Sequence, residues 1–230
     1  MAKRSIIITG SEGLIGRELA GHFQTLGDTV HRVDLALGHD LTDEAQVKKI
    51  FSAHADAAYL VNCFAINDHV EAGGKSIPLA DIGLDSIRRF CEVNLVALFS
   101  ACRAFAAHAH HPRAIVNFSS LYGTRSPKHF LYGVQEKHIG YTISKHGVIG
   151  LTRHLATYWA KRQIRVNCLI PGGVEHQQGG PFIRAYAAQV PMGRMMRADE
   201  LTGLVDLLCS DRSSYMTGSA IAIDGGWTAW

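Results

Sequence analysis

A tyrosine and a lysine stand four residues apart in the run Tyr141-Thr142-Ile143-Ser144-Lys145. This run opens a segment that we predict to be helical through about Lys161, and residues i and i+4 of a helix project from one face. A free phenol has a pKa near ~10, and a nearby ammonium favours the phenolate. Tyr141 is therefore a candidate proton donor or acceptor. The alternative is an ordinary solvated helix face, so the pair needs support from the rest of the chain.

A glycine-rich turn follows the first predicted strand, residues 4–9, and precedes a predicted helix. Its glycines are Gly10, Gly13 and Gly16. Glycine lets the backbone approach a pyrophosphate closely, and a helix N-terminus adds free N–H groups and a positive dipole. Asp34 ends the second predicted strand at the distance from Gly16 where a nucleotide-binding turn needs an acid for ribose hydroxyls. The alternative is a merely tight turn between strand and helix.

The elements that must position these residues alternate along the chain. Predicted strands cover residues 4–9, 29–34, 57–62, 114–118, 164–169 and 220–223, with helical segments between them. This alternation predicts an α/β fold in one domain, residues 1–230, with a parallel sheet covered by helices on both faces. Ligands bind such sheets outside the carboxyl ends of the strands. The candidates at strand ends are Gly10, Asp34, Asn62, Ser120 and Pro171.

Composition narrows the classes of partner. The formal net charge of +3 is too small to indicate nucleic acid or an anionic membrane surface. We find no apolar run near the roughly 20 residues of a membrane span and no signal peptide. The 5 cysteines are widely spaced among apolar neighbours, which favours free thiols in a reducing cytoplasm. We predict a cytoplasmic protein without a metal site.

Further motifs occur in order along the chain: Asn94, Ser119-Ser120-x-x-Gly123, Asn167-x-x-x-Pro171-Gly172 and Asp224-Gly225-Gly226. With the glycine turn and the Tyr141–Lys145 pair, they make the whole chain resemble the single-domain branch of the short-chain dehydrogenase/reductase family. The resemblance implies a Rossmann-type, doubly wound parallel sheet of about seven strands. The chain also resembles, more loosely, a subfamily encoded with bacterial surface-sugar pathways.

The resemblance assigns roles to four catalytic residues, Asn94, Ser120, Tyr141 and Lys145. Tyr141 would exchange a proton with the substrate oxygen, and Ser120 would hydrogen-bond that oxygen. Lys145 would bind the nicotinamide ribose and lower the pKa of Tyr141, while Asn94 would hold a water that links Lys145 to solvent. Ser119 is the competing serine. We prefer Ser120 because the Ser-x-x-Gly spacing then ends at Gly123.

The resemblance also implies contacts to the cofactor, which we predict to be NAD. Asp34 would place a carboxylate where the phosphate of NADP lies, and Glu12 would add a second acid nearby. The predicted cofactor-binding residues are Gly10, Ser11, Gly13, Leu14, Ile15, Gly16, Asp34, Asp40, Leu41, Asn62, Phe64, Ala65, Tyr141, Lys145, Pro171, Gly172 and Val174.

Three features depart from the family pattern. Leu14 stands where the branch more often has its middle glycine, and Phe64 is bulky where the backbone should pass the adenine ribose. The segment between Ser120 and Tyr141 is longer than usual. Tyr132 lies at the usual distance, but the residue four positions later is Glu136 rather than lysine. We therefore interpret residues 121–140 as carrying an insertion.

The leading hypothesis is an NAD-dependent oxidoreductase that acts on a secondary alcohol or ketone of a small polar substrate, such as a sugar, polyol or hydroxy acid. The alternative is a non-catalytic dinucleotide-binding sensor or scaffold. Two apolar helices, near 84–110 and after Tyr141, predict a further packing partner. The resemblance implies that these helices pair with their copies and that the C-terminal strand makes a second contact, in a homotetramer or next a dimer. The substrate walls are predicted in 121–140 and 174–193, unless the insertion packs on a neighbouring subunit. The polar and cationic residues expected there are Lys128, His129, Tyr132, Gln135, Lys137, His138, Glu175, His176, Gln177, Gln178 and Arg184.

Overall fold

The computed structural model describes residues 3–67, 71–72, 75–76, 78–132 and 137–230. Its strands are β1 (Ser5–Thr9), β2 (Thr29–Val33), β3 (Tyr59–Asn62), β4 (Glu71–Ala72), β5 (Lys75–Ser76), β6 (Ala114–Phe118), β7 (Arg165–Pro171) and β8 (Ala220–Ile223). Within the described residues, the main sheet has 6 parallel strands in the order β2-β1-β3-β6-β7-β8. β4 and β5 form a separate antiparallel pair.

The predicted doubly wound parallel sheet is confirmed. The resemblance implied about seven strands, whereas the main sheet has six within the described residues. The difference arises after β2, where the chain makes a short turn at Leu35–Leu37 and passes into a helix without adding a strand. β2 therefore forms one edge of the sheet.

Helices cover both faces of this sheet. They are α1 (Leu14–Thr25), α2 (Glu44–Ala53), α3 (Leu84–Cys91), α4 (Ala97–His108), α5 (Ile139–Trp159), α6 (Gly180–Ala187) and α7 (Thr202–Leu208). The alternation of β1 shows the two layers. Ile7 packs in a cluster with residues of α2, α4 and α5, while Ile6 and Ile8 pack with residues of α1 and α7. Successive side chains of a strand point to opposite faces, so each layer receives its own core.

The helical stretch Leu84–His108 is long and apolar enough, by length and composition, to cross a membrane. This differs from the expectation that no run comes close to a span. Half of its most apolar window is buried inside the molecule, where α4 packs against α2 and β3. A core helix meets the same criteria, so the observation is weak evidence for a membrane span.

A ladder of buried polar side chains ties together the strand ends that form the site. Thr9 Oγ1 donates to Asn62 Oδ1 at 2.8 Å, and Asn62 Nδ2 donates to Asn117 Oδ1 at 2.9 Å. Asn117 Nδ2 then donates to Thr152 Oγ1 of α5 at 3.1 Å. Buried polar groups must be paired, so each member holds its neighbour in place. The ladder fixes β1, β3, β6 and α5 relative to one another.

The sheet order places a crevice at the carboxyl ends of β1 and β3. From β1, the chain continues first to β2 on one side and later to β3 on the other. At such a reversal, the connections leave in opposite directions and open a gap above the strand ends. The glycine turn follows β1, and Cys63 follows β3, at the edges of this gap.

Candidate active site

A cavity of about 700 Å³ lies above the strand ends. Its walls come from the turn after β1, the loops after β3, β6 and β7, the start of α5, and α6. This volume lies within the range of small-molecule and cofactor sites, roughly 300–1,000 Å³. Ser120, Tyr141 and Lys145 line it together with Gly10, Gly13 and Gly16. Residues far apart in the sequence thus meet in one cavity.

The turn before Tyr141 is held by a histidine cap. His138 precedes α5, and its Nδ1 accepts a hydrogen bond from Gly140 N at 2.9 Å. The opposite ring nitrogen lies 3.0 Å from Ser86 Oγ, and the ring stacks on Phe90. His138 is only 4% exposed and caps the helix, so it does not line the cavity where the sequence predicted it.

Tyr141 is a buried phenol beside a serine hydroxyl. Burial raises the pKa of Tyr141, and the neighbouring Ser120 hydroxyl opposes this increase. Within the chain itself, burial of the phenol has the largest effect on this pKa. The lower pKa that the resemblance implies, through Lys145 and the positive nicotinamide ring together, stays a prediction.

Lys145 is the second buried member of the pair. Its Nζ donates to Phe118 O at 2.8 Å and lies 5.7 Å from the centroid of the Tyr141 ring. Burial lowers the pKa of Lys145 to about 8. Protonating the Lys145 amine at this depth is therefore costly unless the cavity supplies a further polar partner.

The two serines after β6, Ser119 and Ser120, make different hydrogen bonds. Ser119 Oγ donates to Lys145 O at 2.7 Å and so bonds to the backbone of α5. A Cβ at Gly123 would lie only 2.2 Å from Ser119 Oγ, so the glycine allows this close packing. Ser120 Oγ accepts from Tyr122 N at 3.2 Å and faces Tyr141. The arrangement fits the preference for Ser120 as the substrate-facing serine.

Asn94 is buried in a π-helical segment, Glu92–Val96, between α3 and α4. Its amide clamps the backbone of Ile66, accepting from N at 2.8 Å and donating to O at 3.0 Å. Its Nδ2 also lies 3.1 Å from Ser144 Oγ. Such π-turns often occur at functional sites. The side chain ties the loop after β3 to α5, and its part in a proton path stays a prediction.

The glycine turn fits a dinucleotide pyrophosphate. Gly10 has φ +69°, and its hypothetical Cβ would lie 2.5 Å from Phe64 N. A Cβ at Gly16 would lie 2.0 Å from Gly10 O, whereas one at Gly13 would have only a 3.4 Å contact. Gly13 precedes α1 without a side-chain cap, so the first N–H groups of this helix face the cavity edge uncapped. Free N–H groups at a helix start suit an anionic phosphate.

The acid at the end of β2 closes one side of this turn. Asp34 Oδ2 accepts from Glu12 N at 2.9 Å, and Oδ1 accepts from Ala36 N at 2.9 Å. Glu12 itself pairs with Arg32 at 2.7 Å and with Arg17 at 3.4 Å. Glu12 is thus less able to repel a phosphate than the sequence predicted, and Asp34 remains the main acid of this region.

The structure brings most, but not all, of the predicted site residues to the cavity. Those that line it are Gly10, Gly13, Leu14, Ile15, Gly16, Ala65, Ser120, Tyr141, Lys145, Pro171, Gly172 and Val174. Those that do not are Ser11, Asp34, Asp40, Leu41, Asn62, Phe64 and Asn94. Asn62 is committed to the polar ladder, and Leu41 is buried in the core. Phe64 packs against the core and passes Gly10 by its backbone.

The substrate walls are more aromatic than the sequence predicted. From the expected set, Tyr132, Lys137, His176 and Gln178 line the cavity. Lys128 instead donates to Gln189 at 2.9 Å and lies over Trp227. The members that are not part of the lining are Lys128, His129, His138, Glu175, Gln177 and Arg184. Gln135 lies outside the described residues, as does Glu136.

Aromatic residues that the sequence did not single out complete the wall. Tyr122 OH lies 2.5 Å from Tyr132 OH, and burial raises the pKa of Tyr132 to about 12. Tyr186 stacks on Trp227 at 4.4 Å, and Phe182 lies between Tyr132 and Tyr186. Only the position of Tyr122, two residues after Ser120, gave a local signal. Tyr186 and Trp227 are brought together by folding.

A family model described as enoyl-(acyl carrier protein) reductase matches residues 14–228. An uncharacterized short-chain type dehydrogenase/reductase of Sinorhizobium fredii is 34% identical over 97% of this chain, which spans 43% of that protein. Galactitol 2-dehydrogenase of Rhizobium johnstonii is 32% identical, with 86% of this chain and 77% of the relative covered.

The chain belongs to the short-chain dehydrogenase/reductase family.

Further proteins similar to this chain differ in what they act on and in the cofactor that they bind. A 3beta-hydroxysteroid dehydrogenase of Eggerthella lenta is 28% identical over 99% of the chain and 94% of that protein. A Leptospira borgpetersenii short-chain dehydrogenase solved with bound NAD+ has a TM-score of 0.86 and 28% identity, covering 98% of this chain and 93% of that one. A Burkholderia cenocepacia gluconate 5-dehydrogenase solved with NADP and tartrate shares the fold, with a TM-score of 0.83 and 23% identity over 100% and 97% of the chains.

Proposed function

We propose that this short-chain dehydrogenase transfers a hydride between NAD and a secondary alcohol or ketone of a small substrate, such as a sugar, polyol or hydroxy acid. One observation supports it most. Tyr141 and Ser120 share a cavity with Lys145 and with the glycine turn. A candidate proton-transfer group and a turn suited to phosphate therefore open into one cavity, which supports the proposal. A bound nicotinamide dinucleotide would supply or accept the hydride.

The chain's own residues would then handle the proton and the orientation. Tyr141 gives a proton to the carbonyl oxygen in reduction and takes it from the hydroxyl in oxidation. Ser120 holds that oxygen against Tyr141. Lys145, buried at 4% exposure with its Nζ 5.7 Å from the centroid of the Tyr141 ring, would supply a cation near the phenol and would hold a ribose hydroxyl of the cofactor. The aromatic wall excludes water, which strengthens these polar contacts.

The direct test is a screen of polyols, sugars, hydroxy acids and cyclic alcohols with NAD, followed by the absorbance of the reduced cofactor. The proposal expects NAD-dependent turnover of at least one class. The sensor alternative expects tight dinucleotide binding by calorimetry with no turnover of any alcohol or ketone. Since both Tyr141 and Lys145 are present in the cavity, we favour the enzyme.

The cofactor proposal gives a measurable preference. We expect kcat/KM for NAD to exceed that for NADP by well over tenfold, because the Asp34 carboxylate disfavours a second negative charge at the ribose. Asp34→Asn keeps an acceptor for the turn and removes the charge, so it should reduce the preference at least about tenfold. Steady-state kinetics with both cofactors measure this ratio.

The control for that variant is Glu18→Gln, which removes a carboxylate from an exposed position of α1 that does not line the cavity. Its NAD-to-NADP ratio should match the wild type. Equal use of the two cofactors by the unmodified protein would contradict the proposal.

We also propose that the protein is a homotetramer, or next a dimer, assembled through the long helices. Several large apolar side chains of this region are solvent-exposed in the single chain, with Val96 at 50%, Phe99 at 40%, Ile143 at 46% and Tyr158 at 73%. Burying them would remove apolar surface from water. Light scattering at micromolar concentration should give a multiple of the 25.1 kDa chain mass. A monomer mass would exclude this assembly.

A further inference from the structure

Trp227 contacts a residue from each of two walls of the cavity, although it does not line the cavity itself. It is 3% exposed, and its ring stacks on Tyr186 of α6, with 4.4 Å between the centroids and 24° between the planes. Lys128, in the loop after β6, places its Nζ 4.6 Å from the centroid of the same ring. Stacked rings and a cation over a ring are both attractive contacts of fixed geometry. The indole therefore joins α6 to the loop after β6.

Hydrogen bonds hold the segment Asp224–Trp230, which carries this indole, to the same two walls. Asp224 Oδ2 accepts from Thr228 N at 2.9 Å and from Thr228 Oγ1 at 2.7 Å, which folds the segment into a tight turn. Arg125 Nη2, from the loop after β6, donates to Thr228 O at 3.2 Å. Trp230 Nε1 donates to Gln189 O, just after α6, at 3.2 Å. The turn is thus fixed at both ends.

Tyr186 passes this constraint on to the loop after β7. Its hydroxyl oxygen accepts from Gly173 N at 2.6 Å. A Cβ at Gly173 would lie only 2.7 Å from Tyr186 Cζ, so the ring packs directly on the main chain. Tyr186 and Gly173 both line the cavity, as does Phe182 of the same helix. A displacement of the Tyr186 ring would therefore move the α6 wall and the loop after β7 together.

We propose that Trp227, with Lys128 over its ring, is a positioning residue that fixes Tyr186 and the α6 wall around the substrate. This rests on the proposed function and adds a residue that acts on the substrate only through its neighbours. Displacements of about 1 Å are enough to impair a reactive geometry. Loss of the stack should therefore weaken the hold on the body of the alcohol. The glycine turn comes from β1 and α1, so the affinity for NAD should change little.

The test compares Trp227→Leu, which keeps an apolar side chain but removes the ring, with Trp227→Phe, which restores a ring for Tyr186. The probes are galactitol, glucose, gluconate and cyclohexanol, one from each class of the screen. In Trp227→Leu, KM for an accepted probe should rise at least about tenfold while kcat stays within about threefold, as for lost uniform binding. In Trp227→Phe, KM should stay within about threefold of the wild-type value. The Kd for NAD from calorimetry should change less than about threefold in both.

Trp159→Leu is the matched control, because it makes the same change at a buried tryptophan, 6% exposed, which ends α5 and does not line the cavity. Its KM should equal the wild-type value. A purely structural role would give both leucine variants the same KM, and that result would overturn the proposal.

Lys128→Met decides the question if Trp227→Leu does not fold, since Lys128 is only half-buried. It removes the cation over the indole and the 2.9 Å bond from Lys128 Nζ to Gln189 Oε1. KM should rise at least about threefold with kcat unchanged. An unchanged KM would overturn the proposal.

Hydrogen–deuterium exchange tests the positioning without any turnover. In Trp227→Leu, and to a smaller extent in Lys128→Met, the amides of α6 should exchange at least about threefold faster than in the wild type, because the helix opens locally more often. Those of α2 should keep their rate, and Trp159→Leu should leave α6 unchanged. Equal exchange of α6 in all of these proteins would overturn the proposal. No turnover of any alcohol in the screen would instead contradict the proposed function, and the exchange rates would still decide whether Trp227 holds the wall.

Discussion

Replacing Tyr141 with phenylalanine is expected to lower kcat by about two orders of magnitude or more, which is the usual size of a general acid–base contribution. The change removes one oxygen and keeps the ring, which is 9% exposed and packed in the core. The lost group is the hydroxyl whose pKa is raised by burial and lowered by the neighbouring Ser120. The affinity for NAD should change little, because the glycine turn and the strand ends are untouched. Single-turnover kinetics and calorimetry measure the two quantities.

Variants of two further tyrosines test the assignment of Tyr141 as the proton-transfer residue. Tyr158→Phe changes an exposed residue of the same helix and should leave kcat at the wild-type value. Tyr132→Phe removes a hydroxyl that bonds Tyr122 in the wall, and should retain most of kcat. Loss of turnover in Tyr132→Phe together with near-normal turnover in Tyr141→Phe would show that the wrong tyrosine has been assigned.

Replacing Gly16 with alanine is expected to destabilise the fold by about 3 kcal/mol or more, beyond the usual range for adding a methyl group to a packed site. The new Cβ would lie 2.0 Å from Gly10 O and 2.8 Å from Ser11 Cα. Both are atoms of the main chain, so no flexible side chain can move to make room. The turn must shift, and the N–H groups that we propose to bind phosphate shift with it. Urea unfolding gives the free-energy change.

Two other glycines separate stability from binding. Gly21 lies in the same helix with no atom within 4 Å of a Cβ, so Gly21→Ala should stabilise by a few tenths to about 1 kcal/mol. Gly13→Ala meets only a 3.4 Å contact and lines the cavity, so it should weaken NAD binding while unfolding stays near wild type. A Gly16→Ala protein as stable as the wild type would contradict the packing account of this turn.

The local patterns were strong enough to locate the elements of the site. Tyr141 and Lys145 share a helix face because their spacing is a property of the helix alone. The glycine turn needed only the order strand, glycines and helix, and α1 begins at Leu14, directly after Gly13. The parallel sheet with helices on both faces followed from alternating elements. These features depend on neighbours in the chain, so the sequence contained them.

Other features of the site depend on contacts between distant segments, and the sequence did not predict them. Asn62 turned inward to the ladder because Thr9 and Asn117 lie beside it in the register of β1, β3 and β6. His138 became a helix cap because Ser86 and Phe90 of α3 lie next to it. Neither outcome can be calculated from the residues on either side in the sequence.

The sequence alone determined the family resemblance, the doubly wound sheet and the pairing of Tyr141 with Lys145, since each of these rests on spacing within one element or on the order of elements. Only the tertiary structure decided the separate hydrogen bonds of Ser119 and Ser120, the stacking of the wall residue Tyr186 on Trp227, and the place of Lys137 beside Tyr141. It also decided that burial raises the pKa of Tyr141. The reason is physical: burial and charge environment are set by groups from distant segments, and they exist only once the chain has packed.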